Sequence, residues 1–187
     1  MITGQGYQDH EVLYPYYRLQ EAGFDVEIAA PIPGELHGIM GTKIEAKKST
    51  SDIHEKDYEI LVLPGGVKAL EKVRQEKKVL EFIQQWNSRG KVIASICHGA
   101  QLLISAKIVR GRKISGYYSI KDDIINAGAT YIDEPAVIDK NIVTTAHYKD
   151  MGPWMKAVLE YRKAAAGKPT DVEYRSRLKQ TEHKAAD

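Results

Sequence analysis

Lys91-Val-Ile-Ala-Ser-Ile-Cys97-His98-Gly99-Ala100 is the stretch whose reading decides the fold. The β-formers Val92, Ile93 and Ile96 run up to the cysteine and stop there. A short turn follows, and Gln101-Leu-Leu-Ile-Ser-Ala106 reads as helix. The pattern is strand, sharp turn, helix, with the chain's only cysteine at the apex. This is the layout of a nucleophile elbow. The turn lifts the sulfur out of the sheet, and the helix behind it aims free N–H groups and its positive dipole end at that sulfur. Both effects favour thiolate. A lone cysteine at a strand end is more often a small buried hydrophobe. Here the adjoining His98-Gly99 favours the elbow.

Outward from that turn, strands and helices alternate. Glu59-Ile-Leu-Val-Leu63 is nearly continuous in apolar residues, as a strand covered on both faces should be. Pro64-Gly65-Gly66 ends it. Phe24-Asp-Val-Glu-Ile-Ala-Ala30 alternates and reads as a strand. From about Ala69 to Asn87 the spacing of Leu70, Val73, Leu80, Ile83 and Trp86 predicts one helix with one apolar face. Ile120 to Ala127 is a short helix closed by Gly128. Ala136 to Thr145 reads as a hairpin about Asp139-Lys140, and Met151 to Ala166 as a last helix ended by Gly167. The alternation predicts a doubly wound α/β sandwich, mostly parallel, with helices on both faces. Only Met1-Ile2-Thr3 precedes the loop Gly4-Gln5-Gly6. The central strand that usually opens such a fold is therefore expected to be shortened or to begin upstream. Residues 1–167 form the expected domain, and 168–187 are a polar C-terminal extension.

The 187 residues suffice for one domain with a sizeable core. Hydrophobic content of 43% and charged content of 28% exclude global disorder. A net charge of +2 is too small to argue for nucleic acid or a membrane surface as partner. No apolar run is long enough to span a bilayer, and Met1 opens no secretory signal. One cysteine cannot form an internal disulfide, which fits a reducing cytoplasm. The histidines form no i, i+4 pair on a plausible helix, and a zinc site from His10, Glu11 and His147 is only a remote alternative. Gly4-Gln5-Gly6 lacks the third glycine of a dinucleotide fingerprint. No metal and no cofactor is expected.

Several segments together resemble the PfpI group of intracellular cysteine proteases, in the ThiJ/PfpI superfamily. They are Asp9-His-Glu11 to Leu19, Leu63-Pro-Gly-Gly66, Leu70-Glu71-Lys-Val-Arg74, the Cys97 stretch through Ala106, Arg110-Gly-Arg-Lys113, Tyr117, Asp122 to Gly128 and Trp154-Met155. The resemblance implies a flavodoxin-like fold of the class I glutamine amidotransferase type. It implies Cys97 as nucleophile, His98 as its partner and Glu11 as the acidic residue beside the sulfur. Glu71 matches a glutamate that reaches a neighbouring subunit's site and completes a Cys-His-Glu triad there. Gly65 and Gly66 match the turn whose N–H groups lie near the oxyanion, and Tyr117 a tyrosine close to the pocket. This chain departs from many relatives in having Gln8 for a second glutamate and Ala146 for an arginine, followed by His147-Tyr148. His147 is thus expected at a pocket rim altered in charge and shape.

The reading that follows is a cytoplasmic cysteine hydrolase acting covalently at a carbonyl, a peptidase or amidase. The alternative within the same chemistry is glyoxalase or deglycase activity on methylglyoxal or its adducts. A rival of another class is a redox sensor or stress chaperone working through oxidation of Cys97. The partner is a small-molecule or peptide substrate, and a homo-oligomer, dimer or hexamer, would place Glu71 at a subunit interface.

Overall fold

In the computed structural model, which describes residues 1–166, the chain order begins α1 (Asp9–Glu21), β1 (Ala29–Ala30), β2 (Gly34–His37), β3 (Lys43–Ala46), β4 (Lys48–Ser49). It continues β5 (Ile60–Leu63), α2 (Val67–Val73), α3 (Lys77–Ser88), β6 (Val92–Ile96), α4 (Ala100–Ser105), β7 (Lys113–Ile114) and α5 (Lys121–Asn126). It ends β8 (Thr130–Tyr131), β9 (Val137–Asp139), β10 (Ile142–Thr145), α6 (Met151–Ala166).

β6 lies at the centre. β5 pairs with it in parallel through Ile60↔Val92, and β10 does so on the other side through Ile142↔Ile93. β9 closes that edge antiparallel to β10, as the expected hairpin. On the far side, residues 1–3 stand where a central strand belongs. The Ile2 N–H donates to Val62 O, and Ile2 bridges Ala29 of β1 in parallel. β1 in turn pairs in parallel with β4. The sheet therefore runs β4, β1, residues 1–3, β5, β6, β10, β9. The shortened opening strand is present as a single bridge, and it joins two ladders into one doubly wound sheet.

The strands alternate between two cores, as a period of two requires. Leu61, Leu63 and Ile93 face a cluster with Leu70, Ile83, Trp86 and Leu103, from α2, α3 and α4. Val62, Val92, Ala94 and Ile96 face another with Leu19 of α1 and Trp154, Met155 and Val158 of α6. One buried indole fastens helix to strand on each face: Trp86 Nε1 donates to Val92 O at 2.9 Å, and Trp154 Nε1 to Val143 O at 3.1 Å.

Three expectations change. The single helix over 69–87 is two, α2 and α3, separated at Arg74–Glu76. Residues 74–78 hold no apolar side chain, so no burial sustains a helix through them. The strand over 24–30 forms its ladder only at Ala29–Ala30, where Ile2 and β4 are its partners. The antiparallel hairpin of β2 and β3 has no counterpart in the sequence reading. It is held to α1 by Asp9, whose carboxylate accepts from the N–H groups of Met40 (2.8 Å) and Thr42 (2.9 Å). The extension 168–187 and the stop at Gly167 lie outside the described residues.

The sharp exit from β6 depends on close backbone approach. A Cβ at Gly99 would collide with the carbonyl oxygen of Leu63 and lie 3.0 Å from Ser95 Oγ. Gly99→Ala should therefore cost on the order of 2–3 kcal/mol through overpacking against backbone that cannot yield. Thermal unfolding would read this as a melting temperature lower by roughly 4–12 °C, at about 2–4 °C per kcal/mol for a chain of this size. An unchanged melting temperature would show that helix and strand have room to separate.

Candidate active site

Cys97 leaves β6 in a left-handed conformation, φ 59°, and opens the 3-10 turn Cys97–Gly99. Non-glycine residues rarely adopt this backbone, and strain of this kind gathers at reactive sites. The expected elbow is present. The side chains of adjacent residues usually diverge, yet Cys97 Sγ and His98 Nδ1 are 3.3 Å apart. The other imidazole nitrogen, Nε2, lies 3.2 Å from Ser119 Oγ, on the 3-10 turn Tyr118–Ile120. That turn is tied to the elbow: the Tyr117 N–H donates to Cys97 O at 3.1 Å, and the Tyr117 ring lies 4.8 Å from the His98 ring. Burial holds the His98 imidazole below its ordinary pKa, so at neutral pH it is an uncharged base.

Glu11 comes from the first turn of α1, where the Gln8 side chain caps the helix by accepting the Glu11 N–H at 3.2 Å. The Glu11 side chain is wholly buried. Its Oε2 accepts the Gly65 N–H at 2.7 Å, while Oε1 is buried without a hydrogen-bond partner. Burial pushes its pKa up to about 7, against the opposing pull of the Cys97 thiol and the Gly65 N–H. Glu11 is therefore a carboxyl poised to carry a proton beside the sulfur.

The thiol does not follow the sequence expectation of a lowered pKa. Burial pushes it above its ordinary value, and the Glu11 carboxylate pushes the same way, with the His98 backbone N–H opposing. The helix behind the elbow, α4, has only six residues, and Cys97 is 7% exposed. Desolvation outweighs so short a dipole. Cys97 and Glu11 together hold one negative charge readily and a second only with difficulty, so they titrate as a pair. With the proton on Glu11, its O–H favours the thiolate.

The glycine turn divides its work. The Gly65 N–H is taken by Glu11, so it is not the free oxyanion donor that the resemblance implies. Gly65 must stay small, because a Cβ there would lie 3.0 Å from Cys97 Cβ and 3.2 Å from Sγ. Gly66 has φ 101°, a Cβ there would collide with the backbone of Gly6, Tyr7 and Gln8, and its N–H has no partner among the described residues. Of the two turn N–H groups, that of Gly66 is the one left open to a ligand among the described residues.

Glu71 stands apart. It is exposed on α2 and does not enter the site of its own chain. Arg74, three residues on, donates to Ser105 Oγ at 3.2 and 3.0 Å. His147 does reach the rim. Its Nδ1 accepts the Lys149 N–H at 3.1 Å, and its ring continues a row that runs His98, Tyr117, His147, Tyr148, His10. Sequence reasoning missed Ser119, while Tyr148 packs beside His147 where the His147-Tyr148 departure was expected to reshape the rim. Ser119 gave no signal because a serine within Tyr117-Tyr118-Ser119 matches no motif.

A family model described as the DJ-1/PfpI family matches residues 1–161. The chain is 38% identical to "Deglycase PfpI" of Pyrococcus furiosus over 162 residues, which are 87% of this chain and 97% of the relative. It is 35% identical to "Putative cysteine protease YraA" of Bacillus subtilis over 152 residues, 81% of this chain and 89% of the relative. Among solved structures, a two-domain protein of Anabaena variabilis with dj-1/thij/pfpi-like and ferritin-like domains superposes with a TM-score of 0.82 at 31% identity. That match covers 85% of this chain and 46% of the other.

The raised Glu11 pKa has a stability consequence with a definite sign. A carboxyl shifted upward on folding contributes stability that is fully present below its unfolded pKa, near 4.5, and lost as pH rises through about 7. The loss is on the order of 3 kcal/mol. Glu11→Gln removes the ionisation and keeps the shape. Its melting temperature should match the wild type near pH 4.5 and exceed it by several degrees at pH 8. A gap that does not widen with pH would show that Glu11 ionises freely in the folded chain.

Proposed function

The chain belongs to the DJ-1/PfpI family, and on that footing we propose that it is a cysteine hydrolase acting at carbonyl carbons, with Cys97 as nucleophile. The observation that carries this reading is the contact of 3.3 Å between Cys97 Sγ and His98 Nδ1 at a left-handed elbow. Nucleophile and base lie within reach of each other in the free chain. The thiol proton passes to Nδ1 as sulfur adds to the carbonyl carbon. The electron pair displaced onto oxygen is met by the Gly66 N–H. With an amide, collapse breaks the bond to the leaving nitrogen, which takes the proton from Nδ1, and water then hydrolyses the acyl-sulfur bond with His98 as base. With methylglyoxal nothing leaves: the hemithioacetal oxygen takes the proton from Nδ1, a base moves the C1 hydrogen as a proton to C2, and water hydrolyses the resulting lactoyl thioester. The protonated Glu11 carboxyl steadies sulfur whenever it carries charge.

The substrate reading is set by access. A sulfur in a residue only 7% exposed suits a small group, and the rim is a row of histidine and tyrosine rings. We favour methylglyoxal or its adducts on amines, a reading supported by the deglycase name of the Pyrococcus furiosus relative. Peptide or amide hydrolysis is the second reading, supported by the protease name of the Bacillus subtilis relative. Peroxide sensing is disfavoured, since sensor thiols are accessible and low in pKa whereas this one is buried and raised. No described helix is long and apolar enough to cross a membrane. The reading places the enzyme in a reducing cytoplasm, as a homo-oligomer in which the exposed Glu71 faces a second copy.

Turnover of methylglyoxal and of a fluorogenic peptide, each by wild type and Cys97→Ser, tests the nucleophile and ranks the substrates. At least one substrate should turn over, and Cys97→Ser should lower that rate on the order of a thousandfold or more. Equal rates in wild type and Cys97→Ser would refute the assignment. For the assembly, Glu71→Gln should lower turnover while Cys97 remains open to alkylation. A monomer by sedimentation with full turnover would return Glu71 to an ordinary surface role.

A further inference from the structure

We propose that Ser119 is a positioning residue for the Cys97–His98 pair, holding the imidazole by its far nitrogen from within the same chain. The proposal rests on the hydrolase reading above and extends it by one residue.

A histidine that takes a proton at one nitrogen works best when the other is held, because that hydrogen bond fixes both tautomer and ring angle. His98 meets Cys97 through Nδ1, so the bond that matters is at Nε2, where Ser119 Oγ lies 3.2 Å away. A hydroxyl suits the place because it both donates and accepts. With the thiol protonated, S–H points to Nδ1, and the Nε2–H donates to Ser119 Oγ. When the proton moves from sulfur to Nδ1, both nitrogens carry hydrogen and Ser119 still accepts. No proton need leave Nε2, and no group must turn.

The turn that carries Ser119 is fixed from both sides. The Tyr117 N–H is bound to Cys97 O at 3.1 Å, and the Ile120 N–H to Tyr117 O at 3.0 Å. Ile120 is buried in the core beside α4, while Ser119 itself is exposed. The elbow thus fixes the segment that in turn orients its histidine. Ser119 keeps its own hydroxyl hydrogen for an outward acceptor, which leaves room for Glu71 of a second copy to end the same chain of hydrogen bonds.

The test compares wild type, Ser119→Ala and Ser119→Thr on whichever substrate Cys97 turns over, with the iodoacetamide alkylation rate of Cys97 measured alongside. Because Ser119 is exposed, both variants should keep the wild-type melting temperature. Ser119→Ala should lower kcat about tenfold with KM within about twofold, the size expected for one neutral hydrogen bond to a base. Its alkylation at neutral pH should slow by several-fold. Ser119→Thr restores the hydroxyl and should return both rates to within about twofold of wild type. An alkylation rate unchanged in Ser119→Ala, or a threonine variant as slow as the alanine one, would overturn the proposal. Alkylation needs no substrate, so this outcome is separate from failure of the hydrolase reading, which shows as a Cys97→Ser variant that turns over like wild type.

Discussion

The rest of the site depends on one buried hydrogen bond, from the Gly65 N–H to Glu11 Oε2 at 2.7 Å. It joins the first turn of α1 to the end of β5, across a gap of 54 residues, directly beside Cys97. A carboxyl this deep is costly unless it is neutral or bonded. Here burial lifts its pKa to about 7, and the hydrogen bond to Oε2 pulls the other way. The same bond uses the Gly65 N–H, which leaves the Gly66 N–H as the open donor of this turn among the described residues. One contact thus limits how far the Glu11 pKa rises, holds the carboxyl beside the thiol and occupies one of the turn's two N–H groups.

The fold was legible where residues are buried on both sides. The apolar runs at 59–63 and 92–96 became β5 and β6, and the Asp139-Lys140 turn became the bend between β9 and β10. Legibility failed where burial is partial. Arg74 to Glu76 breaks a helix without glycine or proline, because no side chain there has a core to enter. The β2–β3 hairpin is specified by Asp9, more than thirty residues away from the backbone it binds, and no local pattern announces such a contact.

The site divides along the same line. Cys97, His98 and Glu11 were legible, the first two through the elbow and the third through the resemblance, and the structure brings them together. The direction of the thiol shift was not. From sequence, the helix N-terminus is visible and the depth of burial is not, so the dipole was weighed without its opponent. Ser119 was equally hidden, since it meets His98 across 21 residues of chain, where no local pattern reaches.

A raised thiol pKa and a catalytic thiol are compatible once Glu11 is counted as part of the nucleophile. At rest the pair can keep its charge on the carboxyl, leaving sulfur as a buried thiol. Such a sulfur is poorly exposed to peroxide, which attacks thiolate. Moving the proton from sulfur to the Glu11 carboxylate shifts the site's one charge onto sulfur, and with Glu11 already protonated, moving it to His98 makes an ion pair; the net charge of the site is unchanged in both cases. Glu11 is wholly buried and His98 half-buried, so both acceptors have already given up much of their water when the proton arrives. The energy that would otherwise hold a permanent thiolate is instead stored as a buried carboxyl near its own pKa and a cysteine in a left-handed turn. Reactivity is then released by proton position, which a bound carbonyl and its oxyanion donor can bias, and not by a standing charge that any oxidant could find.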